Sequence, residues 1–466
     1  MFFSPSVSPL RRQVREASRL GPRAMVHFFE PLLVVAAPDV PSSRDRLYTS
    51  LNIFWLFLAQ VLTGNGSCRR AVRRALSWLG GGGARASANT AAYCKARARL
   101  PIAWLESVLA ATRSPKPASG DKGWRWHGLR VLVVDGTSAR APDTPANQAA
   151  WPQPKTQKPG CGFPVVHLVA AFDLGTGCLE HVREGRLYEH ERELFASMRA
   201  ALNKGDVVLA DRGLCSFAEF HELTKAGLHA VMRKNARLHK GLVTVRRLGP
   251  RERIARWHRS AAPSRGYTRE QWKALPATML VREIEVVVTR PGFRTQRYVV
   301  LTTLLDTKAH KAADFAELYH RRWQAELHFD EIKTAMGMNE LRCKSPAMVR
   351  RELLVYLIAY NLVRLAMLKT AIAHHVPIER LSFTGTLHTI DEWLPAQSAG
   401  ARARATWKEL MRHLASDLVP ERPGRREPRA TKRRQGTYAI LTAPRHVYKE
   451  LLHKGRYRKE ATPSLS

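Results

Sequence analysis

The chain has 466 residues, enough for a large core and more than one structural unit. Its 76 Lys and Arg against 39 Asp and Glu give a formal charge of +37, at an apolar fraction of 45% that is ordinary for a globular protein. An excess of this size, spread over many segments, implies a polyanionic partner, nucleic acid first, and gives no reason to bind a neutral sugar. A membrane surface or plain solubility is the competing explanation of the charge.

Residues 1–45 read as an N-terminal extension. The first two dozen are Arg-rich with Glu16 as the sole acid, which superficially resembles a transit peptide; a flexible extension, or a start at Met25, is the expected reading. Residues 46–112 read as a helical domain. The apolar run Leu51–Leu62 is too short for the roughly 20 residues a bilayer crossing needs, so it predicts a buried helix. After the turn Gly64–Gly66, a helix spans Ser67–Leu79, and a further one, capped near Asn89, runs to Leu100. Arg69, Arg70, Arg73 and Arg74 fall on one face of the middle helix, which suits DNA phosphates; a merely solvated basic face is the alternative.

A Pro/Ser/Gly linker covers 113–124, and the pattern then changes. Strands are predicted at Val131–Val134, ending at Asp135, at Phe163–Phe172, and at His181–Leu187. A helix over Glu189–Leu202 precedes the strand Val207–Ala210, which ends at Asp211, and a helix and the strand Leu228–Met232 follow. This alternation predicts an α/β sheet covered on both faces, with residues 125–340 as one domain. Acids at the carboxyl ends of central strands are site candidates, although an Asp there is often only a turn residue. Residues 237–297 break the alternation and read as an all-β insertion, followed by the strand Tyr298–Thr303. Residues 341–420 read as a helical region in which Leu353–Leu368, carrying Asn361 and Arg364, is a core helix rather than a membrane span. Residues 421–466 form a basic tail with Arg422, Arg425, Arg426, Arg429, Lys432, Arg433 and Arg434. The six cysteines show neither C-x-x-C pairs nor zinc spacing, as expected of reduced thiols in a cytoplasmic protein. There is no P-loop, so no nucleotide cofactor is expected.

Tyr319, Arg322, Glu326 and Lys333 stand at the spacing Y-x2-R-x3-E-x6-K. On a regular helix they occupy an arc of roughly 60°, with Leu318, Ala325, Phe329, Ile332 and Met336 as a buried stripe beside them. Tyr319 and Lys333 would lie about 20 Å apart along the axis, too far to serve one reacting atom but suited to successive phosphates. Taken alone, a solvated charged helix is the commoner reading of such a stretch. Asp135, Asp211 and Glu326 would repel one another at 3–4 Å unless cations sat between them. Two Mg2+ ions, with Mn2+ able to substitute, would meet that need and clamp the attacking and leaving oxygens of a phosphoryl transfer. Arg322 and Lys333 would hold phosphate oxygens.

The segments VLVVDGTSARAPDTPANQAAWPQPKTQKPGCGFPV and DVVLADRGLCSF, together with the Y-x2-R-x3-E-x6-K stretch, resemble the IS4 family of bacterial insertion-sequence transposases. The similarity runs from about Leu47 to the tail, with the three motifs in the family's order. The resemblance implies an RNase H-like catalytic domain with a DDE triad and a β-rich insertion. It implies that Asp135, Asp211 and Glu326 bind metal, that Tyr319, Arg322 and Lys333 contact DNA near the transposon end, and that the chain cleaves at the ends of its insertion sequence and joins 3′-OH ends to target DNA. The implied partners are double-stranded DNA (the element's inverted repeats and the target) and a second copy of the chain in a synaptic homodimer. Some family members stack an aromatic on a flipped base, and Tyr298 is the candidate here. Gly213 and Leu214 stand where relatives often have aromatics, so no stacking role is expected there. A catalytically inactive DNA-binding protein derived from a transposase is the alternative, and a two-metal nuclease of other purpose shares the triad.

Overall fold

The computed structural model describes residues 26, 28–38, 48–77, 87–116, 125–235, 241–288, 296–396, 403–420 and 444. Most of the N-terminal extension and, but for Pro444, the basic tail with its run Arg422 to Arg434 lie outside the described residues.

Four helices come first: α1 (Ser50–Leu62), α2 (Cys68–Ser77), α3 (Ala91–Arg99) and α4 (Ile102–Ala111). The Thr49 side chain accepts the Asn52 N–H at 3.2 Å to cap α1, and Asn89 accepts the Ala91 N–H at 2.8 Å ahead of α3. Pro101, which lacks an N–H, separates α3 from α4. Nearly all of α1 is buried, as its apolar run requires.

The remaining elements are β1 (Val131–Arg140), α5 (Pro145–Ala150), β2 (Val165–Asp173), β3 (Leu179–Arg186), α6 (Glu191–Ala196), β4 (Val207–Ala210), α7 (Phe217–Lys225) and β5 (His229–Arg233). They continue with β6 (Leu242–Gly249), β7 (Glu252–His258), α8 (Arg269–Ala274), β8 (Thr278–Val288), β9 (Gln296–Thr302), α9 (Ala312–His320), α10 (Gln324–Asp330), α11 (Pro346–His374), α12 (Phe383–Ala396) and α13 (Ala403–Ser416). The strands form one sheet in the order β3-β2-β1-β4-β5-β9-β8-β7-β6. Only β1-β4-β5 are parallel; every other neighbouring pair is antiparallel. The fold is therefore mixed α/β around a large sheet.

Alternation along the central strands sorts side chains onto two faces. Val131, Val133, Val207, Leu209 and Val231 join one core, which is shared with α1–α4 and α9–α13. Val134, Val208, Ala210, Ala230 and Met232 join the other, under α6, α7 and Trp272 of α8. The 29-residue α11 is long and apolar enough to cross a bilayer, yet most of it is buried inside the protein. Its polar groups are satisfied there. The Asn361 side chain exchanges hydrogen bonds with both the N–H (2.8 Å) and the C=O (2.9 Å) of Leu179, Arg364 donates to the Thr176 carbonyl at 2.9 Å, and the Tyr360 hydroxyl donates to the Gly177 carbonyl at 2.7 Å. Gly177, at φ +72°, has no Cβ to collide with the Arg364 guanidinium, so α11 lies close against the β2–β3 turn.

Two expectations are corrected. Residues 237–297 are not all-β among the described residues: Thr268 and Gln271 form a capping box that starts α8, and Trp272 buries itself from it. Its strands join the central sheet: β8 pairs with β9 along seven residues and carries β7 and β6 outward as an extension of that sheet. Second, β1 does not end at Asp135. It continues to Arg140 because β2 remains beside it, antiparallel, after β4 has stopped.

Candidate active site

The register of β1 and β4 brings the two aspartates together. The parallel ladder ends with Val134 opposite Ala210, so Asp135, which continues β1, and Asp211, the first residue after β4, leave that last pair together, close enough for the Asp211 charge to act on Asp135. Asp135 follows the parity of Val133 and faces the side covered by α9 and α10, and the Asp211 charge is felt there by both Asp135 and Tyr319. Asp211 accepts the Gly213 N–H at 2.6 Å, and Arg192 donates to the Gly213 carbonyl at 2.9 Å, which fixes the turn. Leu214 is buried. Asp135 accepts the Gly136 N–H at 2.9 Å. Burial pushes the Asp135 carboxyl up to about 6; Gly136 and Arg322 oppose this, and the Asp211 charge adds to it.

The stretch carrying the other candidates is not one regular α-helix. A 3-10 turn at Arg321–Trp323 separates α9 from α10, and a π-helical turn at Glu331–Ala335 follows. A 3-10 turn advances roughly 120° per residue against 100° for an α-helix, so Tyr319 is rotated away from the arc that regular geometry gives. The apolar stripe Leu318, Ala325, Phe329, Ile332 and Met336 is buried as expected. Tyr319 is buried too, its ring centroid 5.0 Å from that of Tyr298, and desolvation raises its phenol well above the usual range. Tyr298 is half-buried on β9, with the Arg233 guanidinium over its ring at 5.6 Å, so part of its ring surface is already covered.

Arg322 is the hub. It donates to Asp135 at 3.3 Å and to Glu326 at 2.6 Å. Burial works against its charge, but Glu326, Tyr319 and Asp135 outweigh that and raise its pKa further. Lys333 reaches β1 two residues further on, with Nζ 3.3 Å from Thr137 Oγ1. Beyond it, Arg140 and the 339–341 segment exchange backbone hydrogen bonds of 3.0 and 2.9 Å, so the end of β1 is tied to the chain leaving the π turn.

The sequence profile described as "Transposase DDE domain" matches residues 126–362, about half of the chain. The transposase InsG of insertion sequence element IS4 from Escherichia coli (strain K12) is 31% identical over 332 residues, 69% of this chain and 71% of that protein. The chain belongs to the IS4-type DDE transposase family. A second E. coli K12 protein, the putative transposase InsZ, is 31% identical over 125 residues, 26% of this chain and 41% of its own. Among solved structures, a piggyBac transposase synaptic complex with hairpin DNA aligns over 89% of this chain and 86% of that one, with 9% identity and a TM-score of 0.42, too distant a likeness to establish a shared fold.

In this transposase, Asp135, Asp211 and Glu326 are not gathered into one cluster. Among the described residues, no three His, Cys, Asp or Glu side chains stand close enough to hold a metal ion. Asp135 and Asp211 adjoin, whereas Glu326 is 62% exposed and meets Asp135 only through Arg322. The residues nevertheless fit a divalent cation. The donors are all carboxylate oxygens, which suit a hard ion, and the guanidinium between Asp135 and Glu326 marks where positive charge is favoured.

The basic face of α2 is narrower than its spacing suggests. Arg69, Arg70 and Arg73 are exposed, but Arg74 is half-buried; desolvation lowers its pKa, and Asp391 on α12 opposes that effect. Sequence reasoning missed the support behind Asp135. Glu191 packs where a Gly136 side chain would stand and lies 3.7 Å from His167 Nε2, and the adjacent Gly136 was the available signal. No disulfide joins any of the six cysteines, all of which are among the described residues.

Proposed function

We propose that Asp135, Asp211 and Glu326 carry DNA cleavage at the ends of the element and joining of its 3′-OH ends to target DNA, and that the β3-β2-β1-β4-β5 part of the sheet is an RNase H-like core. The observation that supports this most is the register pairing Val134 with Ala210, which leaves two aspartates adjacent under the segment that bears Arg322 and Glu326. Mg2+ or Mn2+ bound by the three carboxylates would activate the attacking hydroxyl and stabilise the leaving 3′-oxygen.

The chain's own groups do the rest. An arriving phosphate competes with Asp135 and Glu326 for the Arg322 guanidinium, whose fork matches two phosphate oxygens. Its departure frees both carboxylates to bind metal, so substrate binding completes the site. Lys333 holds a phosphate further along the strand as a point charge. Tyr319 and Tyr298 support the Arg322 side of the groove, and Tyr298 offers its remaining ring surface to an unpaired base. Arg69, Arg70 and Arg73 grip DNA outside the cleavage point, and two copies of the chain hold the two ends in a synaptic homodimer.

The test is incubation of the full chain with Mg2+ and duplexes containing the ends of its own element, obtained by sequencing beside the reading frame. New 3′-OH termini should appear with the wild type and not with Glu326→Ala. Equal cleavage by both would remove Glu326 from the mechanism. Binding of the ends without cleavage at any divalent-ion concentration would favour the inactive DNA-binding reading.

A further inference from the structure

The loop joining β1 to β2 leaves the sheet at the same end as the active site, five residues beyond Asp135, roughly 17 Å along the strand. Two glutamines cross-link it. Gln148 donates to Asp143 (2.7 Å) and to the Gly162 carbonyl (3.2 Å) while accepting the Gln153 N–H (3.0 Å). Gln153 accepts the Gly162 N–H (3.0 Å) and donates to the carbonyls of Gln157 (3.1 Å) and Lys158 (2.7 Å). Gly162 leaves room for both Gln153 and Gln157, which a Cβ would strike. The loop is also fastened to the end of β3: the Lys155 N–H donates to the Tyr188 hydroxyl at 2.8 Å.

Between loop and strand end lies a cleft of about 520 Å3, with Pro152, Lys155, Arg186 and Tyr188 in its wall. Tyr188 is 48% exposed, a large aromatic surface kept open to solvent. The Lys155 ammonium stands 5.1 Å from its ring centroid. Lys155 and Arg186 are exposed cations in its wall; the Arg186 Nε donates to the Ala150 carbonyl at 3.3 Å, and the one acid lining the cleft, Glu189, accepts the Arg186 backbone N–H at 3.0 Å. An aromatic platform with one cation above it and a second in the same wall is the chemistry that takes one nucleobase with its flanking phosphates.

We propose that this cleft is a second nucleic-acid subsite, in which Tyr188 stacks on an unpaired base of the DNA strand leaving the active site while Lys155 and Arg186 hold its phosphates. The subsite rests on the DNA-processing reading above and adds to it a place for single-stranded DNA. It is separate from Tyr298, which lies on β9, beyond β4 and β5 from β1, whereas Tyr188 follows the edge strand β3.

The experiment uses the full chain and two probes: a blunt duplex, and the same duplex with a five-nucleotide overhang carrying 2-aminopurine. Overhang fluorescence should be quenched on binding by the wild type. Tyr188→Ala should lose the quenching and bind the overhang probe about tenfold more weakly, with unchanged affinity for the blunt duplex. Tyr188→Phe keeps the ring but removes the hydroxyl that anchors Lys155, and should behave as the wild type. Equal loss in the Phe and Ala variants would reduce Tyr188 to a loop anchor and overturn the proposal. Wild-type quenching and affinity in Tyr188→Ala would overturn it while leaving the transposase mechanism standing, whereas no binding of either probe by the wild type would overturn both. Loss of self-association in Tyr188→Ala without loss of overhang binding would overturn it in favour of a second copy of the chain. Lys155→Ala is a second variant that keeps the ring, and should weaken overhang binding while retaining the quenching; unchanged overhang affinity would overturn the phosphate contact.

Discussion

Arg322 and Asp135, 187 residues apart in the chain, meet at 3.3 Å, so the DNA-free protein keeps one of its candidate metal ligands neutralised by its own guanidinium. Removing that guanidinium has two opposite effects. Arg322→Ala should bind Mn2+ more tightly than wild type without DNA, measured by metal titration, because Asp135 loses a competing cation. It should also cleave DNA at least tenfold more slowly in single turnover, because the phosphate loses its bidentate partner. Arg322→Lys should fall between the two. Unchanged Mn2+ affinity in Arg322→Ala would show that the ion pair does not guard the site.

Salt dependence separates cations that touch DNA from those that only look as though they should. Replacing Lys333 or Arg73 with Ala should lower the magnitude of the slope of log K against log salt by about one each. Arg74→Ala should leave the slope as it is, since that side chain is half-buried toward Asp391. Titrations of a duplex at four salt concentrations read all three.

Asp173 offers a pH-dependent stability test away from the active site. Burial, with Glu180 nearby, pushes its carboxyl up to about 6 in the fold, against 3.8 as its ordinary value. A raised carboxyl favours the fold fully at pH below about 4, and that contribution is lost as pH rises through about 6. Asp173→Asn keeps an acceptor for the N–H groups of Gly175 and Thr176 and carries no charge. It should therefore gain stability over the wild type as pH rises from 4 to 6, by on the order of 2 kcal/mol, with no further change above that. Urea midpoints at pH 4.5 and 7 would show it.

Asn361→Ala leaves both backbone groups of Leu179 without their partner in a buried place. The expected cost is roughly 2–3 kcal/mol, read as a lower urea midpoint with an unchanged slope. Asn361→Leu should be no better, since the orphaned groups belong to the backbone.

Much of this was legible in the sequence. The strand Val207–Ala210 has the bounds its β-branched run predicts, and the buried stripe from Leu318 to Met336 follows from helical spacing because helical turns of slightly different pitch still keep apolar neighbours together. Asp135 was legible as a site candidate but not as mid-strand, because the ladder with β2 depends on a partner more than 25 residues away. The inward turn of Tyr319 was hidden because a 3-10 turn at Arg321–Trp323 leaves no composition signal of its own. Nor could spacing reveal that Arg74 turns to Asp391, or that the strands after 237 would join the central sheet. These are long-range pairings, set by which surfaces remain uncovered once the rest has folded.

The core that α11 shares with α1–α4 sets an order of events during synthesis. The early helices leave the ribosome more than two hundred residues before the helix they pack against. At about 5–20 residues per second, that is a delay of roughly 10–50 s in which the part of α1 that faces α11 has no native cover. Until the last third of the chain is made, the nascent transposase lacks Arg322 and Glu326 and cannot assemble its candidate site, and the turn between β2 and β3 waits for Asn361 and Arg364 to hold it.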